Sequence, residues 1–274
     1  MTGARAARVS PAPRAARAAV DVERYLRRLG VERPAAPDAE ALARLHEAHL
    51  LAIPFENLSI AWGEPISLDE GEHFRKIVER GRGGGCFELN ALFAWALRAV
   101  GYEVELLSAR VRRDDGGFGP PFDHMCLRVR ADERPWLADV GFGDSFRRPL
   151  PLDRGEVHEE GRTAYALRPA GGELDLVRRE GDGPWAPQYR LDPRPRRLDE
   201  FAPMSCFHQT EGPFTKRCVC TLATAWGRIT LTDRALVRTT FDGVRTEEPV
   251  EDEAAWGAAL RAHFGMARGA RGTA

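Results

Sequence analysis

Arg82-Gly83-Gly84-Gly85-Cys86-Phe87-Glu88-Leu89-Asn90 runs directly into Ala91-Leu92-Phe93-Ala94-Trp95-Ala96-Leu97-Arg98-Ala99-Val100-Gly101. Leu89, Leu92, Phe93, Ala96, Leu97 and Val100 recur at the spacing of one helical face, and Gly101 supplies a stop. The spacing therefore predicts a helix that Cys86 enters at its first residues, straight out of a glycine-rich turn. The unpaired N–H groups and positive dipole pole of a helix start favour thiolate over thiol, and thiolate is the nucleophilic form. The competing reading is a small hydrophobic cysteine at a point where glycines allow close packing.

Two further stretches bear on that choice. In His124-Met-Cys-Leu-Arg-Val-Arg130, residues alternate with the two-residue period of a strand, and Trp136-Leu-Ala-Asp-Val140 reads as a second strand. The polar turn Ala131-Asp-Glu-Arg-Pro135 lies between them. A hairpin centred near Asp132 sets His124 opposite Asp139, with Cβ atoms about 4.5–5.5 Å apart. A carboxylate there accepts from one imidazole nitrogen and leaves the other free to take a proton from Cys86. A satisfied His–Asp pair in a core is the alternative, since the sequence does not by itself bring the helix mouth to the hairpin.

Together these blocks resemble the arylamine N-acetyltransferases. Arg-Gly-Gly-x-Cys-Phe-Glu-x-Asn fits that family's nucleophile motif, His124-Met and Asp139-Val-Gly-Phe-Gly143 fit its other two catalytic motifs at the family's usual intervals, and Ile53-Pro-Phe-Glu-Asn-Leu58 is similar to a fourth block. The likeness runs from about Tyr25 to Leu231. It implies an α+β fold in which an N-terminal helical bundle, a central β-barrel and a C-terminal α/β lid surround a papain-like Cys86-His124-Asp139 site. It further implies acetyl-CoA as acyl donor, no metal, a ping-pong reaction through acetyl-Cys86, and an arylamine, arylhydroxylamine or hydrazine as small-molecule acceptor. By the same resemblance Phe142, Asp144 and Phe146 line the acceptor pocket with Phe55 beside them. Phe55 and Phe146 also read as ordinary core residues.

The chain departs from the family at Met204-Ser-Cys-Phe-His-Gln-Thr210, where many members carry an asparagine and a Ser-Thr-x-Pro run. That difference leaves room for an amide synthase that releases a polyketide chain from an acyl carrier protein as a macrolactam. A non-catalytic binding protein on the same scaffold, and a Cys-His-Asp peptidase or transglutaminase-like hydrolase, are further alternatives.

Composition narrows the class without deciding it. The 274 residues, 43% of them hydrophobic, suffice for a large core. The net charge of −1 gives no overall electrostatic case for nucleic acid, and no apolar run reaches the roughly 20 residues that span a bilayer. Five scattered cysteines without a disulfide framework fit a reducing cytoplasm. The expected organisation is a disordered tail over 1–20, a helical domain over 21–101, a barrel over 102–207, a lid over 208–266 and a second tail over 267–274. His46-Glu-Ala-His49 is one residue short of the zincin spacing, and Cys206, His208, Cys218 and Cys220 match no common zinc module. Arg147-Arg148 reads as a solvated pair able to attract a phosphate.

Overall fold

Asp21 and Asp38 open the first two helices of the computed structural model, which describes residues 21–153 and 155–267. The Asp21 side chain accepts from the N–H groups of Glu23 and Arg24 ahead of α1 (Val22–Leu29), and Asp38 accepts from Ala41 ahead of α2 (Ala39–Ala52). Each satisfies amides that have no acceptor inside the helix. Short α3 (Leu58–Trp62) and α4 (Glu70–Phe74) follow, α4 running on into a wider turn over Arg75–Glu79. Next comes α5 (Cys86–Ala99), buried along its length except at Trp95, Arg98 and Ala99. The single stripe expected from spacing understates this burial, because α1 and α4 pack on one side of α5 and the barrel on the other. The tail expected over 1–20, and all but Ala267 of that over 267–274, lie outside the described residues.

Eight antiparallel strands form the nearly closed barrel: β2 (Glu103–Val111), β3 (His124–Ala131), β4 (Arg134–Ala138), β5 (Leu150–Pro151), β6 (His158–Glu160), β7 (Thr163–Ala170), β8 (Glu173–Glu180) and β9 (Ala186–Arg196). Their spatial order is β5-β4-β3-β2-β9-β8-β7-β6. Leu107, Cys126, Leu137, Tyr189 and Leu191 point into the barrel, while Leu106, Met125, Leu127 and Val129 pack against the helices. Both faces of β3 are buried over Met125–Leu127, where the strand is apolar at three consecutive positions.

The β3–β4 hairpin departs from the expected register. Its turn is the two-residue Asp132-Glu133, both at positive φ (49° and 59°), as a tight twisted hairpin requires. Leu127 pairs with Ala138 and Ala131 with Arg134. The centre thus lies one residue later than expected and the pairing is shifted by two. A shift of two preserves the face of every side chain, where a shift of one would have turned Asp139 away.

The barrel strands end at Arg196, short of the boundary expected at 207. Leu198–Phe201 form a 3-10 turn and Ala202–Thr210 form α6, so the atypical Met204–Thr210 stretch is helical. A second sheet, ordered β1 (Phe55–Glu56), β10 (Val219–Thr224), β11 (Gly227–Thr232), β12 (Ala235–Thr240) and β13 (Arg245–Pro249), is covered by α7 (Glu253–Phe264). Asp252 caps the start of α7 and Gly265, at φ 65°, ends it. Phe55 pairs with Thr221, so a strand from the helical region completes the C-terminal sheet. Among the described residues no helix is long and apolar enough to cross a membrane.

Candidate active site

The turn that delivers Cys86 is set by close packing and buried charge. A Cβ at Gly83 would stand 2.1 Å from the Pro54 carbonyl oxygen, so only glycine fits there. Glu88 reaches back to accept from Gly85 N–H at 3.0 Å and from Lys76 Nζ at 2.8 Å. Arg82 donates to Glu56 through Nε (3.1 Å) and Nη2 (2.8 Å), and Leu58 N–H donates to the other Glu56 oxygen at 2.6 Å. Lys76 lies 3.8 Å from Glu56, so two cations and two carboxylates alternate in one buried cluster behind the turn. Each side chain of the cluster has an oppositely charged neighbour, which offsets the cost of burying it.

His124 and Asp139 meet in front of Cys86. His124 Nε2 lies 2.7 Å from Asp139 Oδ2, and because a carboxylate only accepts, Nε2 carries the proton. Cys86 and His124 line the same cleft, and the Cys86 side chain is among the groups that raise the pKa of the imidazole. Pairing between β3 and β4 stops at Leu127 and Ala138, and the next backbone amides are taken up by side chains instead. Asp139 N–H donates to His46 Nε2 (3.0 Å), Val140 N–H to Asn90 Oδ1 (3.0 Å), and Gly141 N–H to Asp139 Oδ1 (2.9 Å). Asn90 Nδ2 donates to the same Oδ1 (3.0 Å) and to the Met125 carbonyl (2.7 Å). A Cβ at Gly141 would come within 2.8 Å of Cys86 Cα, so glycine there lets the loop lie directly on the start of α5.

These surroundings fix charge states. Burial works against an imidazolium, but the Asp139 charge and hydrogen bond, with help from Cys86, outweigh it and raise His124 to about 10. Burial likewise works against the Asp139 carboxylate, and His124, Asn90 and the Gly141 N–H together hold it below its usual range. His46 is pushed down by burial and stays neutral, its Nδ1–H donating to the Arg147 carbonyl at 2.7 Å. The Tyr189 hydroxyl is buried beside this group without a well-formed hydrogen bond; burial first and the Asp139 charge second push its phenol well above the ordinary value.

A cleft of about 620 Å³ opens above Cys86 and His124, lined by Phe55, Phe142, Asp144 and Phe214 among others. The Phe142 ring stands edge-on to His124 at 5.3 Å between centroids. Asp144 sits at the rim, held by Arg178 Nη1 and Arg228 Nε, each at 3.0 Å. Phe146 is not a lining residue. It is fully buried in the barrel core, stacked on His46 at 5.6 Å, because its backbone follows the Asp144 rim back into the barrel.

One other sequence expectation needs correcting. Arg147 is buried rather than solvated, donating to the Thr224 and Gly227 carbonyls over the Phe241 ring, while Arg148 pairs with Glu40 at the surface. His49 bonds Tyr25 Oη at 2.6 Å and so faces away from His46's partners. Cys206 is exposed on α6 whereas Cys220 is buried in the second sheet, and no cluster of three potential metal ligands occurs among the described residues. Sequence reasoning missed Asn90, His46 and Tyr189. Asn90 was within reach, since it follows Cys86 by one helical turn and shares its face. For His46 and Tyr189 no local pattern announces a role.

The sequence model of a family described as N-acetyltransferase matches residues 38–270. The chain belongs to the arylamine N-acetyltransferase family. It is 30% identical over 230 residues to human arylamine N-acetyltransferase 1, covering 76% of this chain and 79% of that protein. It is 38% identical over 188 residues to the arylamine N-acetyltransferase of Mycolicibacterium smegmatis, covering 65% and 67% respectively. Among solved structures, the Salmonella typhimurium arylamine N-acetyltransferase superposes with a TM-score of 0.83 at 31% identity, over 89% of this chain and 90% of that one. The Mycobacterium marinum arylamine N-acetyltransferase, solved in complex with CoA, matches with a TM-score of 0.83 at 29% identity, over 89% and 92%. Membership of the family makes the chain an acetyltransferase enzyme.

Proposed function

We propose that the protein transfers an acetyl group from acetyl-CoA, through an acetyl-Cys86 intermediate, to the nitrogen of an aromatic amine or hydrazine or the oxygen of an arylhydroxylamine. The observation that carries this reading is the meeting of Cys86, at the first residue of α5, with the hydrogen-bonded His124–Asp139 pair on the floor of an aromatic-lined cleft. Cys86 gives its proton to His124, whose other nitrogen is anchored on Asp139. The sulfur adds to the thioester carbonyl to give a tetrahedral oxyanion; as this collapses the C–S bond to CoA breaks, and the CoA sulfur leaves with the proton held by His124. The N–H groups in the first turn of α5 have no acceptor within the helix and are the natural donors to the developing oxyanion.

Acylation removes the Cys86 charge that helps hold the proton on His124. The imidazole then becomes the better base, takes a proton from the incoming amine as it attacks acetyl-Cys86, and returns it to the departing thiol. Cysteine suits both halves because thioester exchange is nearly balanced in free energy. Phe142, Phe55 and Phe214 give a planar acceptor apolar faces to lie against, the two donors on Asp144 making its carboxylate part of the cleft wall. Initial-rate kinetics with acetyl-CoA and a series of arylamines test the reading. Parallel double-reciprocal lines and CoA release before amine addition are expected; intersecting lines with no release until the amine arrives would overturn it.

A further inference from the structure

A second, much smaller cavity of about 40 Å³ lies against Cys86 and shares Phe55, His208 and Phe214 with the cleft. Its far wall comes from Ile60 on α3 and Ile66 in the loop before α4. Gln209 on α6 ties that loop in place: its Oε1 accepts from Ile66 N–H at 2.9 Å and its Nε2 donates to the Ile66 carbonyl at 3.2 Å and to the Ser205 carbonyl at 3.0 Å. Most of the polar side chains around the cavity are already committed. Glu88 and Glu56 belong to the buried charge cluster, and Asn57 donates to the Phe214 and Arg217 carbonyls and accepts from Val219 N–H. His208 Nε2 donates to the Asp123 carbonyl at 3.0 Å, while its Nδ1 is buried without a hydrogen-bond partner. What remains is an apolar slot with a nucleophilic sulfur at its junction with the cleft.

Size decides what enters. A water needs about 10–15 Å³, whereas a cavity that takes up benzene is on the order of 150 Å³. The slot therefore excludes an aromatic acceptor and accommodates a tail of one to three carbon atoms. We propose that it is the acyl subsite: it receives the carbon tail of the acyl group on Cys86 and restricts the donor to short, uncharged acyl thioesters, from acetyl to butyryl. This inference rests on the acyl-transfer reading above. CoA leaves and the amine arrives through the cleft, while the tail stays on the other side of Phe55 and Phe214. The slot is lined by no Lys or Arg and carries the carboxylates of Glu56 and Glu88, so a carboxylate-tipped tail would be desolvated without an opposite charge.

Acylation of Cys86 by acetyl-, propionyl-, butyryl-, hexanoyl- and malonyl-CoA, followed by rapid-quench intact mass and peptide mapping, tests the assignment. Acetyl to butyryl should acylate within about tenfold of one another, with hexanoyl and malonyl at least about a hundredfold slower, the range that misfit in an apolar pocket produces. Ile66→Ala, with Ile60→Ala as a second variant, should raise the hexanoyl-to-acetyl ratio about tenfold or more. Ile66→Phe should lower the butyryl-to-acetyl ratio by a similar factor, the acetyl adduct itself reporting that each variant is folded. Hexanoyl reacting as fast as acetyl, or ratios unmoved in all three variants, would overturn the slot while leaving acetyl transfer standing. No adduct on Cys86 from any thioester would instead overturn the transfer reading, and the slot with it.

Discussion

Asp139 holds His124 through one carboxylate oxygen while Asn90 and the Gly141 N–H occupy the other, so orientation is the property most sensitive to substitution. Asp139→Asn presents an amide where only an acceptor serves and favours the wrong imidazole tautomer. In the Ser-His-Asp precedent the comparable change lowers kcat by about 10⁴. A loss of that order is expected here with acetyl-CoA binding little changed, and a loss under about tenfold in a folded variant would show that another group orients His124. Asn90→Ala removes two donors and an acceptor around the same loop; kcat should fall about 10- to 100-fold, as when an orienting partner is lost elsewhere, with KM nearly constant. At this scale the pairing of His124 with Asp139 and the place of Cys86 at a helix start were legible because each sits in a compact motif whose local structure is decided by neighbours in sequence. Phe146 was misplaced, and Arg147 taken as solvated, because whether a side chain faces a cleft or a core depends on how far the loop turns after Asp144, and that turn is set by the second sheet and by His46.

The start of α5 depends on the buried charges behind it. Lys76→Met removes a cation from Glu88, leaving a carboxylate with its Gly85 N–H and no opposite charge, and should cost about 3–5 kcal/mol. Denaturant unfolding checks this, and the double variant Lys76→Met with Glu88→Gln should recover part of the loss, because it removes the uncompensated charge as well as its partner. Equal unfolding free energies for wild type and Lys76→Met would contradict the role given to the cluster. The helix itself was readable from its period and its glycine boundaries. The hairpin was readable in kind but not in register: a turn built from Asp132 and Glu133 at positive φ lacks the Asn-Gly or Asp-Gly signature, so its centre was read one residue early. The error did no damage to the site, since a two-residue shift keeps His124 and Asp139 on one face.

At the scale of the whole molecule, the helical region supplies Cys86, Asn90 and His46, the barrel supplies His124 and Asp139, and the second sheet closes the cleft. The architecture of bundle, barrel and sheet followed from the resemblance rather than from periodicity, and the membership of β1 in the C-terminal sheet was invisible because a two-residue strand has no pattern to read. The charged His124–Asp139 pair lies where these parts meet, and its pH dependence follows from the two shifts. His124 is raised, so its contribution to stability is complete below about pH 6.5 and is lost as pH rises through about 10. Asp139 is lowered, so its contribution is complete above about pH 3.9 and is lost as pH falls through its depressed value. The difference in Tm between wild type and Asp139→Asn should therefore be greatest between about pH 4 and 6.5 and shrink on both sides. A difference that grows steadily toward pH 10 would contradict the assignment. Single-turnover acylation should hold from neutral pH and fall as His124 loses its proton near 10, since the CoA sulfur then leaves without it.

The account stands on acyl transfer to one sulfur, and incubation with acetyl-CoA alone, followed by peptide mapping, tests this directly. One acetyl group should appear on the peptide carrying Cys86 and none on Cys126, Cys206, Cys218 or Cys220; it should vanish when an arylamine is added and fail to form in Cys86→Ser. Burial holds Cys126 and Cys220 well above the ordinary thiol range and pushes Cys218 up to about 12, which disfavours their reaction. An acetyl group that forms elsewhere, or product that forms at an undiminished rate in Cys86→Ser, would contradict the account.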